Sequence, residues 1–126
     1  MRIIINTSSM IPIYEQIADC VKKLIVSGEL QSGDALPSVR QLAQELKISA
    51  LTVKKAYDRL EEEGLAETIH GKGTQVSCGN REMLREQWAR EAEDALSRAV
   101  ERAKAGGLTA EEIRELFELI LEEQSE

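Results

Sequence analysis

Aromatic residues are scarce in this chain of 126 residues: two tyrosines, one tryptophan and one phenylalanine (Tyr14, Tyr57, Trp88, Phe117). Any core must therefore be aliphatic, and 42% hydrophobic residues are enough to build one. Histidine occurs once, as His70. With that lone histidine there is no nucleophile elbow, no phosphate-cradling glycine loop ahead of a helix and no cluster of metal-ligating side chains. Catalysis finds no support, and neither a metal nor a cofactor is expected. The two cysteines, Cys20 and Cys78, lie far apart without a CxxC pattern, which predicts reduced thiols. No apolar run approaches the roughly 18 residues of a membrane span, and no signal peptide is recognisable. A cytoplasmic protein with no membrane partner is expected.

Basic residues are also outnumbered, by 16 to 23, for a formal charge of −7. The imbalance is not uniform. Residues 1–80 hold 9 Lys/Arg against 10 Asp/Glu, a net −1, whereas residues 81–126 hold 7 against 13, a net −6. A nucleic-acid surface is therefore compatible only with the first part, where Arg40, Lys47, Lys54, Lys55 and Lys72 can share a side.

What is present is a strongly patterned stretch from Leu36 to Val76. Ser38 precedes an apolar run and Gln41 follows three residues later, the spacing of a capping box. Val39, Leu42, Ala43 and Leu46 repeat on one helical face. Lys47 and Ile48 supply a turn, and Ser49 can cap a second helix that buries Val53, Ala56, Tyr57 and Leu60. Projected at about 100° per residue, Leu51, Lys54, Lys55 and Asp58 point away from that stripe, with Thr52 on its flank. Gly64 stands where a left-handed helix end is wanted. Leu65–Ile69 and Thr74–Val76 are β-prone and joined by His70-Gly71-Lys72-Gly73, which predicts a hairpin with a glycine-rich tip. Two short helices around a tight turn, the second with a basic and polar N-terminal half, have the layout of a DNA-reading helix-turn-helix.

Upstream, the β-branched run Ile3–Ile5 predicts a short strand pairing with the hairpin. Pro12 suits a first helical turn, and Ile13, Ile17, Val21, Leu24 and Ile25 give a stripe ending near Gly28. Downstream, Ser77–Asn80 reads as a linker. A helix from Arg81 to the stop at Gly106-Gly107 and a second one capped by Thr109 and Glu112 form a helical hairpin. Its stripes carry Leu84, Trp88, Ala92, Ala95 and Ala99 on one helix and Ile113, Leu116, Phe117 and Ile120 on the other. So short a tail needs another surface, and a second copy is the simplest one, so these residues are the expected dimer interface. The expected fold is mainly α with a small β-hairpin: a winged helix-turn-helix over residues 1–78, then a helical dimerisation element over 79–126.

The pieces PIYEQI (Pro12, Tyr14, Gln16, Ile17), Gly28, Leu30, Gly33, LPSVRQLA, TVKKAY, LEEEGL and HGKGT stand in an order that resembles the GntR family of bacterial transcription regulators. The resemblance spans about residues 10 to 76, and the brief helical tail is similar to the YtrA-type subgroup. It implies a homodimeric repressor on a palindromic operator in double-stranded DNA. It places DNA contacts at Ser38 and Arg40, at Ser49, Ala50, Leu51, Thr52, Lys54 and Lys55, and at the wing residues His70, Gly71, Lys72 and Gly73. The chain departs from the family at Ala50 and Leu51, where many relatives have hydrogen-bonding side chains, and at Gln75, where an aromatic is common. Ala50 and Leu51 can offer only apolar contact to thymine methyls. The alternative is a winged-helix protein-interaction module without DNA binding, suggested by the −7 charge and those two residues. A small-molecule effector at the dimer seam near Trp88 stays open as a third.

Overall fold

The computed structural model describes residues 1–77 and 81–124. Cys78 and the rest of the expected linker, residues 78–80, lie outside them. The elements are α1 (Ile13–Ser27), α2 (Val39–Leu46), α3 (Ala50–Glu62), β1 (Ala66–Ile69), β2 (Gly73–Val76), α4 (Arg81–Ala105) and α5 (Ala110–Gln124). They form two compact units, Met1–Arg85 and Glu86–Glu126, so the first unit runs past residue 78 and takes in the opening turn of α4.

In the first unit the aliphatic stripes meet as their spacing requires. Ile17, Val21 and Ile25 of α1, Leu42 and Ala43 of α2, and Val53, Ala56, Tyr57 and Leu60 of α3 are buried together with Leu36, Leu65, Ala66, Val76 and Leu84. Helix α3 packs on α1, on α2 and on β1, which makes it the centre of the unit. Helix α1 ends at Gly28, whose N–H donates to the Ile25 carbonyl at 3.2 Å and whose φ of +86° then turns the chain back, so that Leu30 N–H reaches the Leu24 carbonyl at 3.0 Å. The guanidinium of Arg81 lies over that glycine, and its Nε donates to the Val26 carbonyl at 2.9 Å. This places a cation at the negative end of α1, which has no basic residue in its own last turn. Lys22, only 7% exposed, meets both carboxylate oxygens of Glu63 at 2.9–3.0 Å, tying α1 to the end of α3.

The strands run antiparallel, pairing Ala66 with Val76, Glu67 with Gln75, Thr68 with Thr74 and Ile69 with Gly73. The other edge of β2 differs from expectation. Ile3–Ile5 form no strand. That edge is taken by residues 33–36: Gly33 N–H donates to Val76 O at 2.9 Å, Val76 N–H to Asp34 O at 2.8 Å and Leu36 N–H to Thr74 O at 2.9 Å. Because 33–36 already occupies the ladder, the N-terminal arm lies along α1 instead. Gln16 Oε1 accepts from Asn6 N–H at 2.7 Å while its amide donates to Asn6 O and Ile11 O, and Ile3 is buried.

In the second unit, Thr109 Oγ1 accepts from Glu112 N–H at 3.2 Å and Glu112 Oε1 accepts from Thr109 N–H at 3.0 Å, the expected capping box of α5. The hydrogen bond from Thr109 holds the Glu112 carboxyl below its usual range. Among the described residues from Glu86 onward, none is buried.

Tyr57 has the one phenol hydroxyl that bridges helices: it donates to the Pro37 carbonyl at 2.7 Å, pinning α3 to the start of α2. Burial, reinforced by the negative charge of Glu45, pushes its ionisation well above the ordinary 10.0. A raised folded value means that stability is fully present below about pH 10 and declines as pH rises further. Tyr57→Phe should cost about 0.5–1.5 kcal/mol at neutral pH. In urea titrations from pH 8 to 11 the variant should show a shallower alkaline decline than the parent.

Candidate nucleic-acid interface

The helix pair is built by caps at both starts. Ser38 Oγ accepts from Gln41 N–H at 3.1 Å, and Gln41 Oε1 accepts from Ser38 N–H at 3.2 Å. Lys47 takes a left-handed conformation (φ +57°) and Ile48 N–H returns to Ala43 O at 3.0 Å, which turns the chain without a glycine. Ser49 Oγ then accepts from Thr52 N–H at 3.2 Å and lies 2.8 Å from Thr52 Oγ1. Ser38, Ser49 and Thr52, all expected DNA contacts, are thus engaged first in starting the helices that carry them.

The face of α3 opposite its buried stripe is exposed along its length. Ala50 and Leu51 stand at its outer start, Leu51 with 79% of its surface in solvent. Three residues on, the Lys54 ammonium donates to both carboxylate oxygens of Asp58, at 3.2 and 2.9 Å. That carboxylate raises the Lys54 pKa above the ordinary 10.5. Lys55 sits over the ring of Tyr14 on α1, its ammonium 4.2 Å from the centroid. Arg40 on α2 is exposed and forms no ion pair with Glu45 or any other acid among the described residues. The cations of this surface therefore divide into two held by partners and others, Arg40 and Lys72, that face solvent.

The wing tip is His70-Gly71-Lys72-Gly73, all exposed. Gly71 (φ +84°) and Gly73 (φ +78°) have nothing within 4 Å of where a Cβ would stand, so it is backbone conformation, not crowding, that favours glycine there. The turn closes through Lys72 N–H to Ile69 O at 2.9 Å. At its base Thr68 donates to Glu61 of α3 and pairs with Thr74 across the strands, which joins the wing to the end of α3. With an open helix face, a glycine-tipped wing and unpaired cations, the arrangement can lie against a phosphate backbone and present α3 to base edges.

Of the expected dimer residues, Leu84 is already buried in the first unit. Trp88 and Ile113 are half-buried, while Ala92, Ala95, Ala99, Leu116, Phe117 and Ile120 are exposed. A mostly apolar groove between α4 and α5 is lined by Leu96, Ala99, Val100, Ala103, Ile113, Leu116, Phe117 and Ile120, with Arg114 as its one charged member. Sequence reasoning missed two partners on the outward side of α3. The Lys54–Asp58 spacing of four is a readable signal, whereas Tyr14 beneath Lys55 joins residues from different helices and left none.

The model of the bacterial regulatory proteins of the gntR family matches residues 13–76. The HTH-type transcriptional repressor YtrA of Bacillus subtilis is 38% identical over 111 residues, covering 88% of this chain and 85% of that protein. The crystal structure of a transcriptional regulator from Oenococcus oeni superposes with a TM-score of 0.74 at 32% identity, over 93% of this chain and 97% of that one. The DNA-binding domain of AraR, solved in complex with operator ORE1, superposes with a TM-score of 0.51 at 26% identity, over 61% of this chain and 94% of that one.

Because the serine hydroxyls cap helices, Ser38→Ala and Ser49→Ala should each lower stability by about 0.5–2 kcal/mol, read as a fall in the thermal or urea midpoint of the free protein. Ala50→Ser, on the outer face, should leave that midpoint within about 0.5 kcal/mol of the parent.

Proposed function

This chain belongs to the gntR family of bacterial regulatory proteins and is a DNA-binding transcription regulator, and we propose that it acts in the cytoplasm as a homodimeric repressor on a two-fold-symmetric operator. The observation that carries the dimer is the tail. Leu96, Leu116, Phe117, Leu119, Ile120 and Leu121 are each 42–55% exposed, and no described residue of the second unit is buried. So much aliphatic surface along two helices is stable in water only when covered, and a second copy brings a matching surface by symmetry. Each copy would set α3 in a major groove and its wing in the neighbouring minor groove. The half-sites would be one helical turn apart, about 34 Å, or a small multiple of it.

Ser38, Arg40, Ser49, Ala50, Leu51, Thr52, Lys54, Lys55, His70, Gly71, Lys72 and Gly73 are the proposed contacts. Arg40 has the strongest claim to a base, since its guanidinium is exposed and free of carboxylates. Leu51, exposed at the start of α3, would meet thymine methyls, and Lys72, exposed at the wing tip, would meet phosphate. Repression is supported by the B. subtilis relative, which is named a repressor and matches over most of both chains. Occluding a promoter requires only that the dimer stay bound.

Selection of a duplex from a random pool, followed by fluorescence anisotropy at two salt concentrations, tests this function. Binding should saturate at two chains per duplex, weaken steeply with salt and reduce transcription from a promoter carrying the selected site. Selection of no sequence would overturn sequence-specific repression. Arg40→Ala should cost about 1–3 kcal/mol on the selected site and much less on random DNA. Phe117→Ser with Ile120→Ser should convert dimer to monomer by sedimentation and weaken operator binding at least tenfold.

A further inference from the structure

We propose that Asp58 is a specificity-setting residue: by holding Lys54 on the DNA-facing side of α3, it suppresses binding to random DNA without itself reading a base. The inference rests on the function proposed above, in which α3 enters the major groove.

Three observations converge on this. Seen down the axis of α3, Asp58 lies between Lys54 and Lys55 and directly behind Leu51, two turns along the same face. It is in the middle of the outward surface. Second, the Lys54 ammonium meets both oxygens of its carboxylate, at 3.2 and 2.9 Å, while side-chain exposures of 61% and 52% leave the pair open to an incoming duplex. Third, the other lysine of the face is held too, since Lys55 rests on Tyr14. On the reading helix, then, neither lysine is presented alone to a passing phosphate.

Random DNA is gripped almost wholly through phosphate neutralisation and counterion release. A lysine whose charge is cancelled by a neighbouring carboxylate contributes little to that grip, and the carboxylate adds repulsion of its own. An exposed pair spaced i, i+4 is weak, however, and gives way when a better-placed acceptor appears. At the cognate site, Arg40 and the wing fix the register, so Lys54 can exchange Asp58 for a guanine edge or a well-placed phosphate. The pair thus weakens random binding more than cognate binding, which is a gain in discrimination.

The test compares Asp58→Asn with Glu62→Gln, which removes the same charge one turn farther along the same face, where no ion pair to Glu62 forms among the described residues. The probe is a random-sequence duplex over a range of salt, with the selected duplex in parallel. Asp58→Asn should bind random DNA about three- to tenfold more tightly, steepen the salt slope by about one unit, and change selected-site affinity less. Glu62→Gln should change little, and in a Lys54→Gln background the gain from Asp58→Asn should shrink. An unchanged random affinity overturns the inference, as does equal tightening by both variants, which would make it an effect of net charge alone. Selective loss on the selected duplex also overturns it, by making Asp58 a base contact. Failure of the parent protein to bind any duplex at low salt would fell the DNA-reading function itself, and is distinguishable from the other three.

Discussion

The first unit depends on one helix being buried on one side only. Val53, Ala56 and Leu60 of α3 are wholly excluded from solvent and Tyr57 nearly so, between α1, α2 and β1. An aliphatic core with few rings has little else to fix orientation, and the Tyr57 hydroxyl adds a directional constraint by taking the Pro37 carbonyl. Once that stripe is committed, the helical period sends Leu51, Lys54, Lys55 and Asp58 outward. The surface proposed to read DNA is thus a by-product of core packing: a rotation of α3 that moved its outward face would expose Val53 or Leu60. The wing is fastened to the same helix by Thr68 and Glu61, so its position follows from the same burial.

The tail obeys the opposite economy. It has aliphatic residues at helical spacing but no described residue from Glu86 onward buries its side chain. Its acidic excess keeps such a surface soluble but does not cover it. Leu84 shows the contrast within a single helix: one turn after Arg81 it packs into the first unit, whereas the apolar positions beyond Arg85 find no such cover. Helical stripes of this kind need only be doubled to become a core, which is why the proposed dimer contacts fit in so short a segment.

What was legible beforehand was what is local. The capping boxes at Ser38–Gln41 and Thr109–Glu112, the stripe of α3, the turn at Lys47 and the glycine wing tip each follow from residues within a few positions of one another, and each stands where the spacing places it. Pairings across the chain were less legible. Ile3–Ile5 has the β-branched composition of a strand, yet the ladder position beside β2 goes to residues 33–36. Propensity cannot decide between two segments competing for one edge; the short connection from 33–36 into α2 and the Gln16 clamp on the arm do. Tyr14 under Lys55 and Arg81 on the end of α1 belong to the same class of long-range contact.

The negative total charge, which suggested a module that had lost DNA binding, is displaced as an objection by family membership, and the structure shows why it carried little weight. Attraction to DNA depends on the local sign of charge at the contact face rather than on the total. Six of the seven excess negative charges lie in residues 81–126. On the head, Glu63 is spent on Lys22, Glu61 on Thr68 and Asp58 on Lys54, while Arg40 and Lys72 are left facing solvent. With the contacts proposed above, a surface of this kind would obtain its affinity at short range, through shape, apolar contact at Leu51 and a few well-placed donors. On that proposal the modest basicity of the first unit would favour discrimination over grip, because random DNA is held mainly through its phosphates.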